Sequence, residues 1–392
     1  MTTSLTLPGK FDHMENILAH EIQERTREVH TAMLAILSQR HHFQLGPPGT
    51  AKSLLVSRIA KRIEGLGDEG YFHWLLTRYT TPEEIFGPPS LPLLKEGQYY
   101  RVTDRKLPRA SFVFLDEIFK ANSSILNANL TAMNERLFFN GEDDPNIPLI
   151  TLFAASNEMP ESEELSALWD RLHFRHHIKP MQESGNFMRM LTTPMESNPE
   201  PLLTLDEIRE AIGLVGHIEV PSDIFDALKT LRDSLREQGV EPTDRRWMDC
   251  LPIIQAEAFM NDRTVADIED MRPLMHVLWS DEREMKTVIK EVLELANPID
   301  REANDLLERI TELESELRRV IKDGDNNKAI AKQAVEIHGK MQRAKARMDD
   351  LKDRAEESGR KAPILDELHG KFVAVAKMLM QDGFGVQSGK VL

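Results

Sequence analysis

The sequence predicts an α/β domain with a parallel sheet, followed by an all-α region and a C-terminal antiparallel helical hairpin. Short apolar stretches at 42–45, 111–115 and 149–155 each run into polar residues, as buried parallel strands do at their C-terminal ends. Helical spacing and helix start signals fill 206–278. Beyond residue 299 the apolar residues recur at alternating spacings of four and three, which is typical of paired helices.

The loop after the first strand is the most informative segment, and it reads Gly46-Pro47-Pro48-Gly49-Thr50-Ala51-Lys52-Ser53, with Leu54 continuing into an amphipathic helix. This is the layout of a phosphate-binding loop, whose backbone N–H groups turn toward phosphate oxygens. Lys52 would neutralise phosphate charge and Ser53 would ligate Mg²⁺. The usual pattern has Gly before the lysine, so Ala51 requires a backbone that avoids any conformation only Gly tolerates. We expect residues 46–54 to bind a nucleoside triphosphate.

Two carboxylates, Asp116 and Glu117, follow the strand at 111–115. Ligands of open α/β sheets bind at the carboxyl edge of the strands, so both side chains fall where a phosphate would lie. Asp116 is the candidate to hold Mg²⁺ together with Ser53, and Glu117 is the candidate to deprotonate the attacking water. An acidic pair also commonly begins a helix. A phosphate-binding loop earlier in the chain favours the catalytic interpretation.

Two further side chains complete the predicted site. Asn157 follows the strand at 149–155, and its amide can bond both the γ-phosphate and the lytic water, although a turn-forming Asn at a strand end is common. Arg171 precedes a strand-like segment at 174–178. It would reach the γ-phosphate of a neighbouring subunit, or simply form a surface ion pair with Asp170.

Six strings in order resemble the MoxR group of AAA+ ATPases, most closely its RavA-like branch: GPPGTAKS, LTRYTTPEEIFGP, FVFLDEIFKAN, ILNANLTAMNER, AASNEMPE and ALWDR. The resemblance covers about residues 10–280, and loops of this group often carry Ala before the lysine. It implies an AAA+ P-loop domain that binds ATP and Mg²⁺ and assembles as a ring, most often a homo-hexamer. It also implies a sensor 2 arginine in the string TDRRW; Arg245 is assigned to it and Arg246 is the competitor.

The chain is expected to divide into three parts, of which the resemblance covers the first two. Residues 1–182 form the AAA+ α/β domain, 183–282 the all-α lid and 283–392 the hairpin arm with a last helix. Residues 87–107 form the helix-2 insert, read as two extended pieces around a turn at 95–98. In assembled rings this insert points toward a central pore; the alternative is an ordinary surface hairpin.

The remaining elements follow from local signals. Further strands are expected at 72–76 and 174–178, and a second hairpin lies between residues 136 and 149, with Asn140-Gly141 as its tight turn. Pro252 either kinks the third lid helix or shifts its start. The lid helices are expected at 206–215, 222–238, 244–260 and 265–278.

The C-terminal third contains two heptad seams, 299–320 and 330–355, joined by a turn at 323–326. A short Gly-containing link returns the second helix beside the first, with arms of roughly 35–40 Å. A last helix at about 363–380 can fold back on the lid. The arm is either a structural spacer or the part that binds a partner, and the sequence does not decide between them.

Composition excludes several classes. A net charge of −16 argues against a general nucleic-acid binder, because such binding needs clustered Lys and Arg. The single cysteine, Cys250, cannot form an internal disulfide, and neither a leader pattern nor a membrane-length apolar segment is present, so a cytoplasmic protein is expected. Adjacent His residues at 41–42 and 176–177 point to opposite faces of a strand and therefore predict no metal site beyond Mg²⁺.

The expected function is Mg²⁺-dependent ATP hydrolysis that drives chaperone-like remodelling of a protein client. Family members often work beside a partner with a von Willebrand factor A domain, although nothing in this chain identifies one. Two alternatives remain open. The first is a nucleic-acid motor or restriction subunit, which requires positive charge facing the pore; the second is a nucleotide-gated scaffold that acts through its helical arm.

Overall fold

The residues described by the computed structural model are 5–141, 145–160, 163–323, 327–359 and 361–384. The chain forms two compact units, one up to Ile289 and one from Lys290 onward. The first unit contains a parallel sheet and its helices, and the described part of the second is helical. The predicted fold class, an α/β domain with an all-α lid and C-terminal helices, is therefore confirmed. The predicted boundaries at 182 and 282 remain predictions.

Seven strands occur in the described residues, five in the main sheet and two in a small parallel pair. They are β1 (His41–Leu45), β2 (Ile63–Glu64), β3 (Tyr71–Leu75), β4 (Phe112–Asp116), β5 (Thr151–Ser156), β6 (Leu172–His177) and β7 (Leu203–Thr204). The main sheet has the order β3-β4-β5-β1-β6 with every pair parallel, and β2 pairs with β7. Because β4, β5 and β1 are neighbours, the polar residues after these strands share one sheet edge.

The central strands β4 and β5 form from mainly apolar stretches, which suit positions covered on both faces. All residues of β1 and β5 are buried, and Phe112 to Leu115 of β4 are 0% exposed. The strands predicted at 42–45, 72–76, 111–115, 149–155 and 174–178 are confirmed as β1, β3, β4, β5 and β6.

Twelve α-helices are described as far as residue 296: α1 (Leu7–Glu21), α2 (Thr26–Leu37), α3 (Lys52–Lys61), α4 (Pro82–Phe86), α5 (Leu91–Lys95), α6 (Ser123–Glu135), α7 (Glu163–Arg171), α8 (Ser184–Thr192), α9 (Leu205–Val215), α10 (Ser222–Glu237), α11 (Asp244–Met260) and α12 (Glu282–Ala296). The first three predicted lid helices are confirmed as α9, α10 and α11. Pro252 lies inside α11, so the start of this helix is not shifted. The fourth is instead a 3₁₀ helix, Ile268–His276, with Pro273 inside it. Pro273 lacks a backbone N–H for either kind of helical bond, so it does not by itself select the 3₁₀ form, as Pro252 inside α11 shows.

The prediction of two extended pieces in the insert is wrong for its first half. Pro89 and Arg101 form an antiparallel bridge, as a hairpin requires, but α5 occupies the segment between them. Ser90 precedes the helix and Pro92 lies in its first turn, and both are helix-start residues. In the second hairpin Leu137 bridges Asn146 as predicted, although residues 142–144 of its turn lie outside the described residues.

The second unit is a bundle of α13 (Pro298–Asp323), α14 (Asn327–Ser358) and α15 (Pro363–Met378). The heptad residues Ile310, Leu317 and Ile337 are 0% exposed, which confirms the helical hairpin. With 26 and 32 residues, the two arms extend roughly 39 and 48 Å, so the second is longer than predicted.

The last helix, predicted at about 363–380, packs against the hairpin within the second unit. Its residues Ile364, Leu365 and Leu368 are buried, and α15 packs on α13 and α14. In addition, the Glu314 carboxylate of α13 lies 2.5 Å from Lys371 of α15. The apolar face of α15 is satisfied within its own bundle.

Candidate functional site

The predicted phosphate-binding loop lies between β1 and α3, and its shape depends on residues without large side chains. A Cβ atom at Gly46 would lie 2.3 Å from the carbonyl oxygen of Ile178, so only glycine fits there. Gly49 has φ +80° and Ala51 has φ 66°, ψ 20°. Ala51 therefore adopts the left-handed region, which glycine favours but which other residues of the described chain, such as Glu117 and Arg136, adopt as well. The turn into α3 imposes the left-handed region whichever residue occupies it.

The Lys52 side chain folds back into this loop. Its ammonium donates to the carbonyl oxygens of Gly46 and Pro47, the second at 3.1 Å, and to Asn157 Oδ1 at 3.0 Å. The residue is 7% exposed. Burial lowers the pKa of Lys52, while the charges of Asp116 and Glu117 oppose that shift. Lys52 therefore offers a positive charge at the sheet edge, bonded directly to neutral oxygens.

Asn157 connects Lys52 to the proposed base. Its Nδ2 donates to Glu117 Oε1, while its Oδ1 accepts from Lys52. Asn157 follows β5 and Glu117 follows β4, so the parallel sheet brings together residues that are 40 positions apart. The other carboxylate oxygen of Glu117 lies 3.1 Å from Lys120 Nζ. We call Lys52, Asn157, Glu117 and Lys120 the edge chain.

The remaining loop and metal candidates surround this chain. Thr50 Oγ1 donates to the Pro47 carbonyl at 2.8 Å and holds the loop closed. Ser53 and Leu54 belong to the first turn of α3, which packs against β4 and β5. Asp116 is the last residue of β4, and its Oδ1 accepts the backbone N–H of Glu117 at 3.0 Å. These positions place Ser53 and Asp116 on elements that pack together at the loop.

Arg171 ends α7 and lies away from the edge chain in sequence and in its contacts. Its guanidinium donates to the Ala167 carbonyl at 2.5 Å, and its Nε has no hydrogen-bond partner among the described residues. Burial and the nearby charge of Arg245 lower the pKa of Arg171, whereas Asp170 and Glu135 raise it. The structure thus places a partly buried guanidinium outside its own chain's loop.

The two sensor 2 candidates differ sharply in environment. Arg246 is 0% exposed and donates to the carbonyls of Trp169, Asp170 and Leu172 at 3.0–3.2 Å, and to that of Val277. Its Nε also lies 3.2 Å from Asp170 Oδ1, and burial lowers the pKa of Arg246 to about 10. Arg245 is 46% exposed, with its guanidinium 3.7 Å from Asp170. Arg246 is committed to holding the lid, so Arg245 has the freer side chain.

The donor set of the loop fits a phosphate. A buried ammonium without a direct carboxylate partner among the described residues would gain a counter-ion from a triphosphate. In the described ranges, no three His, Cys, Asp or Glu side chains come together as a protein-only metal site. Ser53 and Asp116 would hold Mg²⁺ jointly with phosphate oxygens, as such ions are usually held. Across the described helices, none has the length and apolarity that a membrane span requires.

A parallel sheet with this loop, an Asp-Glu pair on the neighbouring strand and a helical lid defines a P-loop nucleotide-binding protein of the AAA+ class. A family model described as the MoxR domain of MoxR-vWA-beta-propeller ternary systems matches residues 10–212, and an AAA lid domain model matches residues 223–293. The chain belongs to the MoxR family of AAA+ proteins.

Relatives of similar length occur in Methanocaldococcus jannaschii. One uncharacterised protein is 34% identical over 361 residues, covering 92% of this chain and 94% of the relative. A second is 33% identical over 347 residues, covering 88% and 92%. A solved structure of a presumed ATPase from Cytophaga hutchinsonii matches with a TM-score of 0.59 and 16% identity, over 74% of this chain and 95% of that one. At this identity the structure supports the fold alone.

Two polar features escaped the sequence analysis. Lys120 is one; its only signal was its position three residues after Glu117. The other is a buried stack of His42, His176 and His276, with ring centroids 5.1 and 4.4 Å apart, which we call the histidine column. Its members come from β1, β6 and the 3₁₀ helix, so no local pattern could reveal it.

Proposed function

We propose that this chain hydrolyses ATP with Mg²⁺, and the edge chain is the observation that carries the proposal. It joins the phosphate-binding lysine to the candidate base through one amide. When bound, ATP supplies the phosphoryl group and Mg²⁺ the charge that stabilises its transfer. Lys52 would then bind phosphate oxygens, Asn157 would orient the water, and Glu117 would accept its proton.

Our proposal further assigns Arg171 to a neighbouring subunit's site and Arg245 to sensing nucleotide from the lid. The unpaired Nε of Arg171 and the exposed guanidinium of Arg245 support these roles. Both roles suit a ring, most simply a hexamer, that uses hydrolysis to remodel a protein client. The family description supports a partner with a von Willebrand factor A domain. We retain the RavA-like branch and a cytoplasmic location as parts of the proposal, the latter because one buried cysteine suits a reducing compartment.

The test is steady-state phosphate release from ATP and Mg²⁺ by the full chain. Glu117→Gln should lower kcat roughly 100-fold or more while ATP binding persists, because only the proton acceptor is lost. Arg171→Ala should likewise abolish turnover and spare binding, whereas Arg209→Ala, on the exposed face of α9, should change neither. Absence of Mg²⁺-dependent ATP binding, or a fully active Glu117→Gln variant, overturns the proposal.

Two added arms address the alternatives. Stimulation of turnover by polynucleotide would favour a nucleic-acid motor. A Glu117→Gln protein that still supports the client's activity would favour a scaffold whose hydrolysis only resets it. Pull-downs with Glu117→Gln, with and without residues 299–357, would identify the client.

A further inference from the structure

Lys120 is the one member of the edge chain without a role in the proposed function. Its Nζ lies 3.1 Å from Glu117 Oε2, on the opposite side of the carboxylate from Asn157. The Glu117 side chain is only 12% exposed, while that of Lys120 is 40% exposed. The carboxylate is therefore held between an amide and an ammonium, and only the ammonium is a fixed charge.

The backbone conformation explains why Lys120 lies close to Glu117. Glu117 adopts φ 54°, ψ 45° and begins a 3₁₀ helix, Ile118–Lys120. In a 3₁₀ turn residues i and i+3 eclipse, and the Lys120 N–H donates to the Glu117 carbonyl at 2.9 Å. Ile118 is 0% and Phe119 is 9% exposed, so two buried side chains anchor the turn. This turn therefore places Lys120 next to Glu117.

The amide partner, by contrast, is shared. Asn157 accepts from Lys52 while it donates to Glu117, and Lys52 is the group expected to bind phosphate. A rearrangement at Lys52 therefore disturbs Asn157, whereas Lys120 contacts neither of these residues in the described structure. The ion pair between Lys120 and Glu117 Oε2, an oxygen that has no hydrogen-bond partner among the described residues, is the contact that can persist through the cycle.

We propose that Lys120 is a positioning residue that holds the Glu117 carboxylate in the orientation needed to accept the proton from water. This inference rests on the proposed role of Glu117 as the base. A surface ion pair without such a role would leave turnover unchanged on removal. A positioning contact instead lowers kcat selectively, because a base must lie within hydrogen-bond reach of its proton.

The experiment compares Lys120→Met, Lys120→Arg and the control Lys229→Met in ATP turnover and ATP binding by the full chain. Lys229 lies on the exposed face of α10, so Lys229→Met removes the same charge at a distant site. Lys120→Met should lower kcat about 5- to 10-fold, the larger factor corresponding to about 1.4 kcal/mol, with KM and the ATP dissociation constant within about twofold. Lys120→Arg should restore most of kcat, and Lys229→Met should match the wild type.

The outcomes separate the inference from the function beneath it. If Glu117→Gln abolishes turnover but Lys120→Met keeps the wild-type kcat or exceeds it, the positioning role is wrong and the base assignment stands. If Lys120→Met weakens ATP binding by the same factor as kcat, or lowers the melting temperature together with kcat, its role is structural and the inference fails. If Glu117→Gln turns over ATP normally, the proposed function has failed first.

Discussion

The edge chain and the histidine column are both polar clusters beside one sheet. The first contains charged side chains, whereas the second contains neutral ones. In the edge chain, Lys52 and Lys120 flank Asn157 and the Glu117 carboxylate at hydrogen-bond distances. In the column, imidazoles stack on one another, and burial lowers the pKa of His42 to about 3 and lowers the pKa of His176 and His276 as well. One cluster keeps its charges and the other excludes them.

The difference shows that partner charge, rather than burial alone, decides protonation in this domain. His30 is also enclosed, but it lies 3.0 Å from Glu15 and 2.7 Å from Glu257, and these carboxylates raise its pKa well above the ordinary value despite burial. The column rings contact Thr31 and each other instead. A charged site therefore needs alternating signs, as the edge chain has, and the column is a neutral structural element.

The largest expected effect is a loss of stability in acid that the histidine column causes. Its absence would break the comparison. A histidine kept neutral in the native state stabilises the fold above the unfolded pKa of 6.5, and that stability falls as pH drops below 6.5. At pH 5.5 the loss is about 1.4 kcal/mol per ring, or about 4 kcal/mol for three. His30, whose folded pKa is raised, behaves oppositely: its contribution is complete below 6.5 and declines as pH rises through its folded pKa.

Urea unfolding at pH 7.0 and 5.5 measures this loss. Asp270, whose pKa burial raises to about 7, works in the opposite direction, so a variant must isolate the column. In His276→Gln the difference in unfolding free energy between the two pH values should shrink by about 1.4 kcal/mol. An unchanged difference would mean that folding does not lower the pKa of His276, and that the column is not kept neutral as proposed.

The next effect concerns what holds the column without charge. Thr31 Oγ1 lies 2.7 Å from His176 Nε2 and 3.1 Å from His42 Nε2, and Thr31 is 1% exposed. Thr31→Val keeps the volume but leaves ring nitrogens unpaired, so stability should fall by about 2 kcal/mol while KM for ATP is unchanged. Calorimetry and turnover measure the two readouts.

Thr31 Oγ1 also donates to the Arg27 carbonyl, four residues earlier, at 2.9 Å. Thr230→Val is the matched control, because Thr230 donates in the same way to the Asp226 carbonyl at 2.9 Å, but on an exposed helix face. It should change stability by less than about 0.5 kcal/mol. Equal losses of stability in both variants would mean that the effect comes from the hydrogen bond within the helix. The Thr31 hydroxyl would then not support the column.

Much of the fold was readable because backbone form follows local pattern. Local sequence patterns located the five sheet strands, and the polar residues that follow β4 and β5 located Glu117 and Asn157. The sequence could not reveal partners: Lys52 and Asn157 are 105 positions apart, and the column joins three elements. Local signals also failed where two competed, as in α5, where Ser90 and Pro92 began a helix inside an expected hairpin.

The smallest expected effect concerns the backbone of the loop that holds Lys52, one member of the edge chain. Ala51 adopts φ 66°, ψ 20°, a region that costs an L-residue with a Cβ about 1–2 kcal/mol. Ala51→Gly should relieve this strain but adds freedom to the unfolded chain, so the net gain in stability should be about 0.5 kcal/mol. Ala19→Gly, inside α1, should instead lose about 1 kcal/mol. Chemical unfolding of both variants gives the two signs; if Ala51→Gly also destabilises the protein, the left-handed backbone at Ala51 is not strained.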